Sequence, residues 1–137
     1  MKNQGKVLNR KDIQELQTLF SQVDMIGAVS DNNQLGILIS KKGHIQVKMS
    51  PDKNHPLPHF HIRYKTEFSA SYAIDDLRRL QDKKGKKDMP NKYERPILDW
   101  AKPRRAQLVA TWEKLMKGDG GIHEWVVEVF GDGRLNK

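Results

Sequence analysis

Apolar residues recur along the first third of the chain with two different periods, and each period predicts one kind of element. Apolar side chains at three- and four-residue spacing over residues 10–23 predict an amphipathic helix. Residues 25–30 and 35–40 are short apolar runs on either side of the turn-forming run 31–33, which predicts a hairpin. Strict alternation of apolar and polar residues over 45–49 predicts a half-buried strand.

The same alternation continues in residues 59–64 and 68–74, which predicts a second hairpin. Directly opposed residues of antiparallel strands share a face, so the loop length decides whether the apolar positions meet. A three-residue loop at 65–67 aligns them and sets His61 opposite Ser71. The apolar pairs predicted by this register are Tyr64 with Phe68, Ile62 with Ala70 and Phe60 with Tyr72.

The remaining pattern is mostly helical. Residues 91–101 and 103–117 carry apolar residues at helical spacing, whereas residues 75–80 suit a short helix or turn. Residues 81–90 are highly charged without apolar periodicity, which predicts a mobile loop, and the β-forming run 122–130 predicts a strand. We therefore predict an α+β fold with a small, mostly antiparallel sheet, helices packed on one face and an extra N-terminal helix.

Length and composition favour one domain over residues 1–137. The chain has no cysteine, which excludes disulfides and thiolate nucleophiles and fits a reducing compartment. No run approaches the ~20 apolar residues of a membrane span, so we expect a soluble cytoplasmic protein that does not bind a membrane. Without a glycine-rich phosphate loop, no cofactor is expected.

Three of the five histidines crowd into one proline-rich run, at positions 55, 59 and 61. The alternation puts His59, His61 and Arg63 on one solvent-facing side of the strand. One imidazole of His55, His59 and His61 is suited to act as general base and another as general acid, while Arg63 and Lys48 stabilise phosphate charge. Two alternatives remain open: neutral imidazoles that bind a transition metal, and histidines that only stiffen an exposed turn.

Lysine and arginine exceed aspartate and glutamate, which gives a net charge of +8 and favours acidic partners. RNA, another polyanion or an acidic partner protein would satisfy this charge, whereas a solvated surface is the alternative. The residues that we predict to contact nucleic acid are Lys48, Arg78, Arg79, Lys83, Lys84, Lys86, Lys87, Arg104 and Arg105.

The run His-Pro-Leu-Pro-His-Phe-His-Ile at residues 55–62, followed by Trp100 and Trp112 in a helical region, resembles a bacterial family. That family is domain of unknown function four-one-six-zero, whose pattern is His-Pro-Pro-Pro-His-Val-His-Val. The resemblance covers about residues 45–117 and departs from the family pattern at Leu57. Such domains often look like one half of a two-gene module of the toxin–antitoxin kind.

This resemblance and the histidine chemistry together suggest three functions. The first is an RNA-directed toxin, acting as a metal-independent endoribonuclease through His55, His59, His61 and Arg63. The second is a non-catalytic module that binds nucleic acid or protein and has structural histidines. The third is a histidine-ligated metal enzyme.

Overall fold

The computed structural model describes residues 6–31, 43–50, 57–80, 87–117 and 124–131. Its elements form an α+β fold, as predicted, in which strands and helices are largely segregated along the chain. In chain order they are α1 (Arg10–Asp31), β1 (Ile45–Met49), β2 (His59–Tyr64), β3 (Phe68–Ala73), β4 (Arg79–Leu80), β5 (Lys87–Asp88), α2 (Glu94–Ala101), α3 (Arg105–Lys117) and β6 (Trp125–Val129). Single 3-10 turns at Asn91–Tyr93 and Lys102–Arg104 precede α2 and α3.

The strands form one sheet in the order β4-β3-β2-β1-β6. All these pairs are antiparallel, and β5 adds to β3 in parallel. The register predicted for the β2–β3 hairpin is confirmed, because Tyr64 pairs with Phe68 and His61 pairs with Ser71. The predicted strand near residue 125 is also confirmed, and it lies beside β1.

Two predictions about the elements are corrected by the structure. Residues 25–30 do not form a strand, because α1 continues to Asp31. Asp24 accepts hydrogen bonds from two tyrosines of the core, which holds this turn of the helix against the sheet. The partner run 35–40 lies outside the described residues. Lys87 and Asp88, predicted as loop, pair with β3.

Helices cover the apolar face of the sheet. The β2 side chains Phe60, Ile62 and Tyr64 are fully buried. Phe20 of α1 lies edge-on to Tyr64 with ring centroids 4.5 Å apart, and Trp100 of α2 contacts Phe60 at 6.3 Å. Aromatic pairs of this kind add to the stabilisation that burial of their apolar area provides. The predicted packing of helices on one face is confirmed.

Helix α1 begins with a reciprocal cap. The Asn9 side chain accepts a hydrogen bond from the Asp12 backbone at 3.1 Å, while the Asp12 carboxylate accepts from the Asn9 backbone at 2.9 Å. Gln107 of α3 also donates to Asp12, at 3.1 Å, so the same cap joins α1 to α3. Among the described helices, none is long and apolar enough to cross a membrane.

Candidate functional site

Two rows of mostly polar side chains cross the side of the sheet opposite the aromatic core. Directly opposed residues share a face, with Cβ atoms about 4.5–5.5 Å apart. One row consists of Val126, Lys48, His61 and Ser71, and the next consists of Glu128, Gln46, Arg63 and Ser69. We call these eight residues the polar face. Lys48 is therefore the direct neighbour of His61, and Arg63 lies one row away.

Ser71 holds the imidazole of His61. The Ser71 Oγ lies 2.6 Å from His61 Nδ1, and Ser71 is fully buried. The hydroxyl donates to Nδ1 in one tautomer of the neutral ring and accepts from Nδ1 in the other, so this contact holds the ring in either form. His61 itself is only half-buried.

His59 lies in a different environment from the one predicted. The expectation that it faces solvent is wrong, because its side chain is fully buried. Its Nδ1 donates to the Leu57 carbonyl at 2.7 Å, and its ring lies 5.5 Å from Trp112 and 5.0 Å from His61. Trp112 of α3 covers this end of β2. His59 is therefore shielded from solvent, and its ring packs against that of His61.

Two cations flank His61. Lys48 and Arg63 are both half-buried on the polar face. Within the described part of the chain, neither forms an ion pair with a carboxylate. The third histidine of the predicted cluster, His55, lies outside the described residues. The described part of the site thus consists of one half-exposed imidazole beside two cations.

Comparison with known proteins identifies this region. The model of the family "Domain of unknown function (DUF4160)" matches residues 45–113, which is half of the chain. The chain belongs to the DUF4160 family. The match includes β1, β2 and β3, and so contains Lys48, His61, Arg63 and Ser71, whereas α1 and β6 lie outside it. No curated protein and no solved structure was found to match the chain.

The other cations predicted to contact nucleic acid bind the protein's own oxygens where the structure describes them. The pairs are Arg78 with Asp76, Arg79 with Glu94, Lys87 with Glu67, Arg104 with Asp12 and Glu15, and Arg105 with the carbonyls of Ile74 and Asp75. The Arg78 hydrogen bond also holds the pKa of the Asp76 carboxyl below its usual range. Lys83, Lys84 and Lys86, between β4 and β5 of the DUF4160 region, lie outside the described residues.

Two residues beside the DUF4160 strands were missed from the sequence. Glu128 accepts a hydrogen bond from Gln46 at 2.8 Å, and its carboxylate lies 3.7 Å from the His44 ring nitrogen Nε2. Phe130 stacks on the His44 ring with centroids 4.7 Å apart. No local pattern indicates which strand pairs with β6, so neither contact could be predicted from the sequence.

A metal centre in this DUF4160 protein would require ligands beyond the described residues. Within the described ranges, no three side chains of histidine, aspartate or glutamate are grouped so that they could hold a metal ion. His59 already donates through Nδ1 to a backbone carbonyl. The histidine-ligated metal enzyme therefore stays a prediction, which requires ligands beyond His59 and His61.

Proposed function

We propose that this protein is an RNA-directed toxin of a toxin–antitoxin-type module, and that it cleaves RNA without a metal ion. The observation that carries the proposal is the row in which Lys48, His61 and Ser71 are neighbours, with Arg63 in the next row. An imidazole held by a hydrogen bond is suited to move a proton, and adjacent cations stabilise the charge that develops on a phosphate.

The proposed reaction uses the 2′-hydroxyl of the RNA itself. The 2′ oxygen attacks phosphorus, the bond to the 5′ oxygen breaks, and a 2′,3′-cyclic phosphate and a 5′-hydroxyl result. The protonated His61 ring donates from Nδ1 to Ser71 Oγ and gives its Nε2 proton to the departing oxygen, so the neutral ring that results keeps its proton on Nδ1. We assign removal of the 2′ proton to His55. Lys48 and Arg63 bind the phosphate oxygens.

His59 has a positioning role in this proposal. Its burial prevents contact with a substrate, and its ring lies edge-on to His61 at 5.0 Å. Together with Ser71 it limits the orientations open to His61. A preorganised proton donor loses less freedom when the substrate binds, which is why such support increases the rate.

The toxin part of the proposal is supported by the family resemblance and by charge. A net charge of +8 favours RNA, and it also favours an acidic antitoxin that would cover the cations of the polar face. We propose that the protein acts in the cytoplasm, where RNA is available. Induced expression in bacteria should therefore arrest growth, and a His61→Ala variant should relieve the arrest.

The decisive experiment measures RNA cleavage by purified protein with and without a chelator. His61→Ala should lower the rate by at least about 100-fold, the smaller end of the effect of one acid–base group. Arg95→Ala is the matched surface control, because Arg95 is exposed on α2 away from the polar face. Equal cleavage by wild type and His61→Ala would contradict the proposal, and cleavage abolished by the chelator would favour the metal enzyme.

Ser71→Ala tests the positioning step separately. Without the hydroxyl, the His61 ring loses its hydrogen bond at Nδ1, so its ring-nitrogen NMR shifts should move away from those of the wild type. The cleavage rate should fall less than in His61→Ala, and its pH profile should shift. Ser71→Thr keeps the hydroxyl and should restore both. NMR shifts unchanged in Ser71→Ala would contradict the positioning role of the Ser71 contact.

The burial of His59 favours a second candidate, a non-catalytic module that binds RNA or protein. In that case the histidines are structural, as the His59 bond to Leu57 illustrates. The same assay separates the two functions. A protein that binds RNA but does not cleave it, with or without added divalent metal, is such a module.

A further inference from the structure

An exposed aromatic ring lies at the margin of the polar face. Phe130 is 49% exposed although one side of its ring lies against His44. Phe130 follows Glu128 by two residues, and His44 precedes Gln46 by two, so both belong to the side of the sheet that carries Arg63. Lys48 and Arg63 lie on the same side of the sheet, and among the described residues neither forms an ion pair with a carboxylate.

The backbone around Phe130 is fixed from the core side of the molecule. The buried Gln17 side chain of α1 donates both to the Phe130 carbonyl, at 3.3 Å, and to the Gly43 carbonyl, at 2.8 Å. These bonds tie the end of β6 to the residue before His44. The ring is thus held in place while much of it stays accessible, which is the arrangement of a preorganised contact surface.

We propose that Phe130, supported by His44, stacks a base of single-stranded RNA whose backbone crosses Arg63 and Lys48. This inference rests on the proposed function for its choice of RNA, and it adds the substrate class. Bases in a duplex are stacked on each other, so only an unpaired base can lie on a protein ring. Sheet surfaces that combine aromatic rings with cations bind single strands in this way.

The spacing on the sheet fits a short strand. His44 and Lys48 are four residues apart in one strand, which is about 13 Å at ~3.3 Å per residue. A few nucleotides are enough to cover that distance, with a base at Phe130 and phosphates at Arg63 and Lys48. Glu128 lies between Phe130 and the two cations, but its carboxylate already accepts a hydrogen bond from Gln46 and faces His44.

The test uses a probe that the protein cannot cleave. A fluorescent 2′-O-methyl oligoadenosine of about eight nucleotides lacks the free 2′-hydroxyl and falls within common single-strand site sizes. Phe130→Leu keeps apolar volume but removes the aromatic face, so the Kd should rise by about fivefold or more. Phe130→Trp should keep the affinity. Met116→Ala, at a residue 55% exposed on α3, is the control and should bind like wild type.

Two further probes separate stacking from charge. Inorganic polyphosphate has charge without bases, so Phe130→Leu should bind it as well as wild type does. A duplex of the same length should bind more weakly than the single strand. Equal oligonucleotide affinity of wild type and Phe130→Leu would overturn the inference. A loss of polyphosphate affinity in Phe130→Leu equal to its loss of oligonucleotide affinity would also overturn it, and so would tighter binding of the duplex than of the single strand. Circular dichroism and Tm of each variant report folding.

The outcomes also separate this inference from the proposed function. A protein that binds the methylated strand through Phe130 but leaves unmodified RNA intact keeps the stacking site and contradicts the endoribonuclease. A protein that cleaves RNA through His61 while Phe130→Leu binds normally keeps the endoribonuclease and overturns the stacking site.

Discussion

The two sides of strand β2 differ in what their polar groups do. On the core side, Phe60, Ile62 and Tyr64 are fully buried, and even the Tyr64 hydroxyl has an acceptor in Asp24 at 2.7 Å. On the other side, His61 and Arg63 are half-buried. The core side of β2 therefore contributes to stability, whereas the other side presents polar groups that are accessible for chemistry. Substitutions at neighbouring positions should affect different properties.

The core side is tightly specified at the end of β2. The Asp24 carboxylate accepts from Tyr64 and, at 2.5 Å, from Tyr93, and Lys65 lies 3.4 Å away. Gly43 is required beside them, because a Cβ there would lie 2.5 Å from Cε1 of the Tyr64 ring. This mostly buried carboxylate joins α1, β2 and the turn before α2 through the two tyrosine hydroxyls.

The largest effect should come from the core side. Phe60→Ala removes a fully buried ring that contacts Trp100 and Tyr72, so the free energy of unfolding should fall by about 3–5 kcal/mol. Val126→Ala, at a 41% exposed residue of the polar face, should change it by no more than about 0.5 kcal/mol. Urea denaturation measures both. Similar losses in the two variants would remove the distinction between the faces.

Local periodicity and loop length were enough to predict this distinction in outline. A period of two fixes which residues of β2 share a side, and the three-residue loop fixes the partner of each, so His61 could be set opposite Ser71 from sequence alone. The caps and spacing of the later helices were equally local signals. Each of these features depends on residues close together in the chain.

What the sequence did not reveal depends on contacts between distant residues. The apolar run after Asp24 is too short for its periodicity to distinguish a strand from a helix. The hydrogen bonds from two tyrosines to Asp24 hold this part of α1 against the sheet, and they join residues that are distant in the chain. His59 is buried by Trp112, which lies far along the chain. The stack of Phe130 on His44 exists because β6 pairs with β1, which no local pattern predicts.

Alkaline pH should weaken the core side selectively. Burial, and then the hydrogen bonds to Asp24 and Glu94, raise the pKa of all three tyrosines of the chain well above the ordinary value of about 10. Above that pH the unfolded tyrosines lose protons that the folded ones keep. Stability is therefore complete below pH 10 and should fall by up to about 1.4 kcal/mol per pH unit for each tyrosine.

Tyr72→Phe isolates this effect from lysine titration, which both proteins share. Urea unfolding at pH 8 and at several alkaline values should give a slope that is shallower in the variant by up to about 1.4 kcal/mol per pH unit, because one of three equal tyrosine contributions is removed. Tyrosinate absorbance in the wild type should appear together with unfolding. Absorbance that titrates near pH 10 while the near-ultraviolet circular dichroism stays native would contradict the assigned pKa directions.

The smallest effect concerns cations on and off the polar face, and it determines how far the RNA surface extends. Lys48 has no carboxylate partner among the described residues, so Lys48→Ala should lower the slope of log affinity against log salt by about 0.7 for a single strand. Lys87 pairs with Glu67 at 3.4 Å on the edge strand β5, and Lys87→Ala should lower it by less than half as much. Fluorescence anisotropy of the 2′-O-methyl probe over a salt series measures both.

Equal slopes for the two lysine variants would contradict the restriction of phosphate contacts to the polar face. The RNA would then have to reach the edge strand β5, and the lysines at 83, 84 and 86 would become candidates again, as the sequence predicted. Unequal slopes would instead indicate that ion pairing with the protein's own carboxylates removes a cation from the binding surface. In that case the partner of each lysine, rather than the number of lysines, determines where the strand binds.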